Sequence, residues 1–391
     1  MTVPGALTPG AVFASPAQKS HTAAKSSKKP AAADQSAAAL DAAETALKAN
    51  HLDDAIARAD EVLAKTPSSA RAAEIKIEAL VAGDKQQQAL DAYDAFAKAN
   101  TRGPVTLLTP IARGELRAIS KNALTTLDGD ALRVLATNGD ASAKRQLEQL
   151  STATKPSAAS LSATTALARM GDAPAAQRLV AYATQAEGSQ RSVFLHEIAN
   201  VPHAPALAVV RDSLKSSDPV VQATAAEAAA SLGLKDLTPD LKQVLVTGHP
   251  FAQNAAATAL VMFGDPSAKE RVQMLLTSPA GSVRMQAAKA LNATGDHSWT
   301  EQIRPLLQDQ DGLTRFQAAE LLLPVDRAAS LTVLQAGLSD PNPVIRAEAT
   351  RILTSDGKVE PALLRILVTD KTPQVRLLAA NAILTQAKVS H

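Results

Sequence analysis

From about residue 160 onward, apolar and polar positions follow two superposed periods: a helical one inside short phrases, and a 31-residue one between them. The clearest phrases begin at Arg284 (Arg-Met-Gln-Ala-Ala-Lys-Ala-Leu), Arg315 (Arg-Phe-Gln-Ala-Ala-Glu-Leu-Leu) and Arg346 (Arg-Ala-Glu-Ala-Thr-Arg-Ile-Leu). Equal steps back fall on Gln253, Gln222, Arg191 and Ser160, and a step forward, one residue short, on Arg376. Three residues into the phrases lies a small or apolar residue such as Ala256, Ala287 or Ala318, and four further an aliphatic such as Leu260, Leu291 or Leu322. These offsets share one helix face, where small residues let neighbouring helices approach closely. A second apolar row (Val210, Leu241, Val272, Ile303, Leu334, Leu364) follows each phrase, so every unit is predicted to be a helix pair. Gly171, Gly233, Gly264 and Gly295 fall between the two helices, where a positive φ can end the first. Asp172, Asp265 and Asp296 stand ready to cap the second, and Pro219, Pro250 and Pro343 open the first helix of their units. Units that bury their apolar faces only against neighbours stack into a linear array, here an all-α, right-handed α-solenoid of antiparallel helix pairs. The expected shape is an elongated curved ribbon.

Toward the N-terminus the pattern changes. Residues 1–35, rich in Ala, Ser, Thr, Lys and Pro, lack helical periodicity and are expected to be disordered. Within them Ala11-Val12-Phe13-Ala14-Ser15 has the small-residue look of a secretory cleavage region, without the basic start and apolar middle that precede one; location is export if the true start lies upstream, cytoplasmic otherwise. Over 36–100 the period becomes 34: Ala55-Ile56 recurs as Ala89-Leu90, and Pro67 follows Leu63. Residues 101–150 hold degenerate helical repeats, and 151–391 the 31-residue units.

Composition narrows the function. Aromatics are 2% of residues and cysteine is absent, so the helices pack through Ala, Leu and Val, and thiolate chemistry is excluded. The net charge is +2, and Lys19, Lys25, Lys28 and Lys29 against Asp34 account for it, leaving 36 of 40 basic and 37 of 38 acidic residues elsewhere. Interleaved signs on a neutral body, with few aromatics to stack on bases, argue against nucleic acid as a partner. No transmembrane segment, serine nucleophile elbow, phosphate-binding glycine loop or His-Glu-x-x-His helix is present, and no cofactor is expected.

The 34-residue segment resembles the tetratricopeptide repeat, though Ala39 stands where its large early aromatic belongs. The run Asp340-Pro341-Asn342-Pro343-Val344-Ile345-Arg346, followed by alternating Ala and Leu, resembles the short HEAT-type repeat of phycobilisome lyase-like proteins, from about residue 125 onward. That resemblance implies a ladder between units, with Asp309, Asp340 and Asp370 pairing with Arg315, Arg346 and Arg376 six residues on. At Gln222 and Gln253 the partners are the neutral Ser216 and Thr247, and Arg284 faces Ser278.

Five residues into each phrase the side chain stays polar: Thr165, His196, Glu227, Thr258, Lys289, Glu320, Arg351 and Asn381. Stacking lines these up on the inner face, where they are candidate contacts for a protein or peptide partner. The expected function is a non-catalytic interaction scaffold. The alternative is a metal-dependent hydroxylase-like or lyase-like enzyme, because HEAT-like hydroxylases bind two irons through several His-Glu pairs. Here His196-Glu197 is the single such pair, with Thr165-Ala166, Glu227-Ala228 and Thr258-Ala259 at the matching positions. Trp299 with Pro305 predicts a kink, and an apolar last helix carrying Leu377, Leu378, Ile383 and Leu384 without a polar closing helix predicts self-association at that end.

Overall fold

The computed structural model describes residues 32–100, 103–121, 125–152, 157–355 and 359–389. The expectations of a disordered N-terminal tail and a signal remnant fall largely on residues 1–31, outside them. Every regular element among the described residues is helical. Four helices open the chain: α1 Ala32–Lys48, α2 Leu52–Lys65, α3 Ala70–Ala82 and α4 Gln86–Ala99. A single helix, α5 Thr109–Ile119, precedes the pairs α6 Thr126–Thr137 with α7 Ala141–Ser151, α8 Ala158–Arg169 with α9 Ala173–Gln185, and α10 Gly188–Ala199 with α11 Leu207–Ser213. The 31-residue register then carries α12 Pro219–Ser231 with α13 Thr238–Thr247, α14 Pro250–Met262 with α15 Lys269–Leu275, and α16 Gly281–Asn292 with α17 Thr300–Ile303. It ends in α18 Gly312–Leu322 with α19 Arg327–Gly337, α20 Pro343–Ser355 with α21 Pro361–Leu367, and α22 Pro373–Val389.

Local chemistry fixes these boundaries. Gly171, Gly233, Gly264 and Gly295 have φ of 90, 65, 83 and 75°, which only glycine adopts without cost. Asp172 Oδ1 accepts from Ala175 N at 2.7 Å, and Asp265 and Asp296 accept from Ser267 N and Ser298 N at 2.9 and 3.0 Å. Proline at the first position of α12, α14 and α20 removes a donor that would have no partner there. Pro305 converts the stretch after α17 into a 3₁₀ segment, Arg304–Gln308, beside the fully buried Trp299.

Most first helices pack against the first helices of neighbouring pairs, whereas the second helices barely touch one another and pack on the first helices of their own and the following unit. The first helices therefore line the inside of the curve. Their alanines, among them Ala225, Ala256, Ala287 and Ala318, are wholly buried, and one apolar core runs unbroken from Ala73 to Ala387.

The array does not end as an open ribbon. α22 packs along α5 and against the turn before it, and also touches α6. Arg376 Nε reaches Glu115 Oε2 at 2.9 Å, Arg365 holds Asp94 on α4 through bonds of 3.0 and 2.8 Å, and Lys388 Nζ donates to Thr137 O at 3.3 Å. These contacts span 251 to 271 positions of sequence and close the array into a ring. The apolar face of α22, with Leu377, Ile383 and Leu384 at 4% exposure or less, is therefore covered by the chain itself. The expectation that this helix is left for another copy is corrected: α5 supplies the missing neighbour.

Candidate functional site

The inner face carries polar side chains between buried alanines, and crowding there decides which remain available. Thr165 and Thr258 are 5% and 8% exposed, and their hydroxyls lie buried without a hydrogen-bond partner. They belong to the packing between inner helices, not to an open strip, because a short threonine at this position is overtopped by longer neighbours. The longest of these reaches across α14: Gln286 Nε2 on α16 donates to Glu227 Oε1 on α12 at 3.0 Å, 59 positions apart. Such a bond requires the inside of the curve to be tight. Partial dehydration raises the Glu227 carboxyl above its usual range, with Gln286 and the nearby His196 holding it back.

Glu320 and Arg351 also meet. Arg351 Nη1 and Nη2 donate to Glu320 at 3.0 and 2.8 Å, while its Nε and Nη2 hold Glu348 at 3.0 and 2.8 Å. Both carboxylates raise the guanidinium's proton affinity. A similar tie that the sequence did not disclose joins three inner helices, with Arg169 on α8 between Asp130 on α6 at 3.6 Å and Glu197 on α10 at 3.5 Å. His196, Lys289 and Asn381 are exposed, and their side chains form no hydrogen bond or ion pair with another described residue. Of the eight predicted positions, then, two are packed, three are tied to neighbours and three stay open.

His196 and Glu197 do not converge with further ligands. Glu197 is spent on Arg169, and among the described residues no group of three His, Asp or Glu could hold a metal ion. No described helix is long and apolar enough to cross a membrane.

The expected ladder exists in another form. Arg284, Arg315, Arg346 and Arg376 each place Nη1 on the main-chain carbonyl six residues back, at Ser278, Asp309, Asp340 and Asp370, over 2.6 to 2.9 Å. Gln222 and Gln253 instead reach carbonyls eight and seven residues back, Leu214 O and Val246 O at 2.8 and 3.4 Å, and not Ser216 or Thr247. The arginine thus caps the carbonyl end of the preceding outer helix, where positive charge is favoured. A backbone oxygen is offered by any residue, which is why Ser278 serves as well as an aspartate. Only Arg346 also grips the next unit's carboxylate, Asp370, at 3.0 and 3.1 Å.

A separate ladder on the outer helices was not foreseen. Lys242, Lys269 and Arg304 reach forward to Asp265, Asp296 and Asp326, and Arg117 and Arg211 to Asp140 and Asp240. Asp265 and Asp296 were visible only as caps, and Asp140 and Asp326 were not singled out as such; their role here depends on which helices lie side by side.

Between α8, α9 and α10 the stack is wedged open. α8 and α10 both pack on α9 but hardly on each other, leaving a cleft of about 400 Å³ lined by Leu161, Tyr182, Val193 and Phe194, with the Tyr182 and Phe194 rings 5.7 Å apart.

No curated protein sequence matches the chain. Among solved structures, human deoxyhypusine hydroxylase in complex with glycerol is similar at 18% identity and TM-score 0.32, covering 63% of this chain and 97% of that one. The Escherichia coli protein YibA is similar at 18% identity and TM-score 0.30 (63% and 90% covered), and an engineered protein at 21% and 0.27 (63% and 96%). The HEAT repeats family matches residues 207–292 and 268–354, so the stacked helix pairs of this region are HEAT repeats.

Proposed function

We infer that the chain is a non-catalytic scaffold whose inner face takes up an extended segment of a protein partner. The observation that carries this reading is the division of labour on that face. Glu227, Glu320 and Arg351 are bonded within the stack, while His196, Lys289 and Asn381 stand exposed at the equivalent position of their units, their side chains without a hydrogen bond or ion pair to another described residue. Ring closure holds these groups at set separations, which reduces the ordering cost of binding. Lys289, with the His196 imidazole and the Asn381 amide three units away on either side, suits a peptide of mixed polarity better than a phosphate, which calls for several converging cations.

The test is selection of peptides from a random display library on the immobilised full chain, followed by titration of synthetic copies. Selected peptides are expected to bind at least tenfold more weakly to a triple variant, His196→Ala, Lys289→Glu and Asn381→Ala, of unchanged circular dichroism. Equal binding by that variant overturns the assignment of the face. Stoichiometric iron in the purified protein would overturn its non-catalytic character.

A further inference from the structure

The two edges of the ring differ in chemistry. Along the edge where outer helices hand over to inner ones, the second residue of each inner helix recurs every 31 positions as Val220, Phe251, Ser282, Leu313 and Val344. The four apolar members are 51, 52, 38 and 55% exposed. The penultimate residues of α13, α15 and α21, namely Val246, Met274 and Ile366, end on the same edge at 76, 60 and 65%. Seven of the eleven large hydrophobics exposed among the described residues thus share one edge. The opposite edge carries the glycine turns and the Lys/Arg to Asp ladder, with Met262, Val325 and the helix-ending Val389 as exposed counterparts among the described residues.

We propose that this apolar edge is the interface on which a second copy of the chain docks face to face. Three observations favour a second copy over other occupants. With whole-residue areas on the order of 200 Å² for side chains of this size, the stated exposures leave ~800 Å² of these residues' surface per copy, on the scale of the ~800 Å² per partner of a stable interface. The exposed charges along this row balance, Lys215 and Lys371 against Asp212 and Asp311, so two copies meet without strong repulsion and an anionic surface gains little. The row is also self-complementary. A two-fold axis at Ser282, the small and exposed central member, sets Phe251 against the partner's Leu313 and Val220 against the partner's Val344.

The chain has no cysteine, so Ser282→Cys introduces a single reporter thiol at the axis. Sedimentation of the unmodified chain is expected to give about 81 kDa, twice the 40.5 kDa of one copy, and mild oxidation of Ser282→Cys to give a covalent dimer. Phe251→Glu with Val344→Glu is expected to leave helicity unchanged, halve the mass and abolish the cross-link, whereas Met262→Glu with Val325→Glu on the opposite edge leaves the dimer intact. A wild-type monomer, or a dimer that survives the Phe251/Val344 pair, overturns the proposal. So does a monomer that sediments with phosphatidylcholine vesicles through Phe251 and Val344, which would assign the edge to lipid.

Discussion

Arg376 Nε and Glu115 Oε2 meet at 2.9 Å across 261 positions of sequence, and the same arginine's Nη1 caps the carbonyl of Asp370. Within the array, Arg346 makes the corresponding reach to the carboxylate of the following unit. At α22, the last described helix, α5 offers Glu115 as the carboxylate. The pair is only 23% and 15% exposed, so each charge depends on the other for solvation. A double-mutant cycle with Glu115→Gln and Arg376→Gln is expected to give a coupling of ~1–2 kcal/mol in urea unfolding. Arg365→Glu combined with Arg376→Glu is expected to open the ring, seen as a larger radius of gyration in small-angle scattering. An unchanged radius would show that apolar packing of α22 on α5 suffices for closure.

Arg346 spends all five of its donor hydrogens: on Asp340 O, Pro341 O, both Asp370 carboxylate oxygens and Thr372 Oγ1. Its side chain is 6% exposed. Arg346→Ala strands these acceptors and is expected to cost ~3 kcal/mol. The two aspartates then separate the ladder drawn from sequence from the one in the structure. Asp340 is gripped through its main chain, so Asp340→Asn is expected to change stability by less than ~0.5 kcal/mol. Asp370→Asn replaces the carboxylate itself and is expected to cost ~1–2 kcal/mol. Equal effects of the two substitutions in chemical denaturation would refute this division.

The range of each interaction decided how much of this was legible in the residues. The helix pairs, their glycine turns, the Asp172, Asp265 and Asp296 caps and the Pro219, Pro250 and Pro343 starts are local, and one unit's sequence specifies them. The inner position of Glu227, Lys289 and Arg351 is set by period alone. Closure by Glu115 is not, because nothing in a linear repeat encodes total curvature. The packing of Thr165 and Thr258 escaped for the same reason: a polar residue at an inner position reads as solvated until the tightness of the curve is known. The carbonyl-directed role of Arg315 and Arg376 was hidden behind the carboxylates of Asp309 and Asp370 six residues back.

Gly337 shows a packing constraint that its sequence position conceals. It ends α19 facing the ring of Phe316, and a Cβ there would stand 2.3 Å from Phe316 Cζ and 3.0 Å from the Ala349 Cβ. Phe316 is 2% exposed and Ala349 fully buried, so neither has room to yield. Gly337→Ala is expected to destabilise by ~1–3 kcal/mol through overpacking, despite alanine's better helix propensity. A second change that empties the space, Phe316→Leu, is expected to recover part of the loss. A thermal midpoint for Gly337→Ala at or above that of the unmodified chain would remove the constraint.

The outer ladder makes acid stability a readout of repeat stacking. Asp265 is drawn down to about 2 by Lys242 and by the hydroxyl and N–H of Ser267; Asp296 is drawn to the same value by the N–H and hydroxyl of Ser298 and by Lys269. In Asp140, burial pulls the other way and is outweighed by Ser142, Ala143 and Arg117, again giving about 2. Each group is a stronger acid folded than unfolded, where the ordinary value is 3.8. The folded chain therefore gains stability from these carboxylates at any pH above their unfolded value, and loses it as pH falls from about 4 toward about 2. Asp265→Asn with Asp296→Asn keeps a capping oxygen but removes the charge, so the double variant is expected to start less stable at neutral pH and to decline less steeply through that window. Urea midpoints measured at stepped pH values check this, and parallel curves for variant and unmodified chain would place the acid sensitivity elsewhere in the molecule.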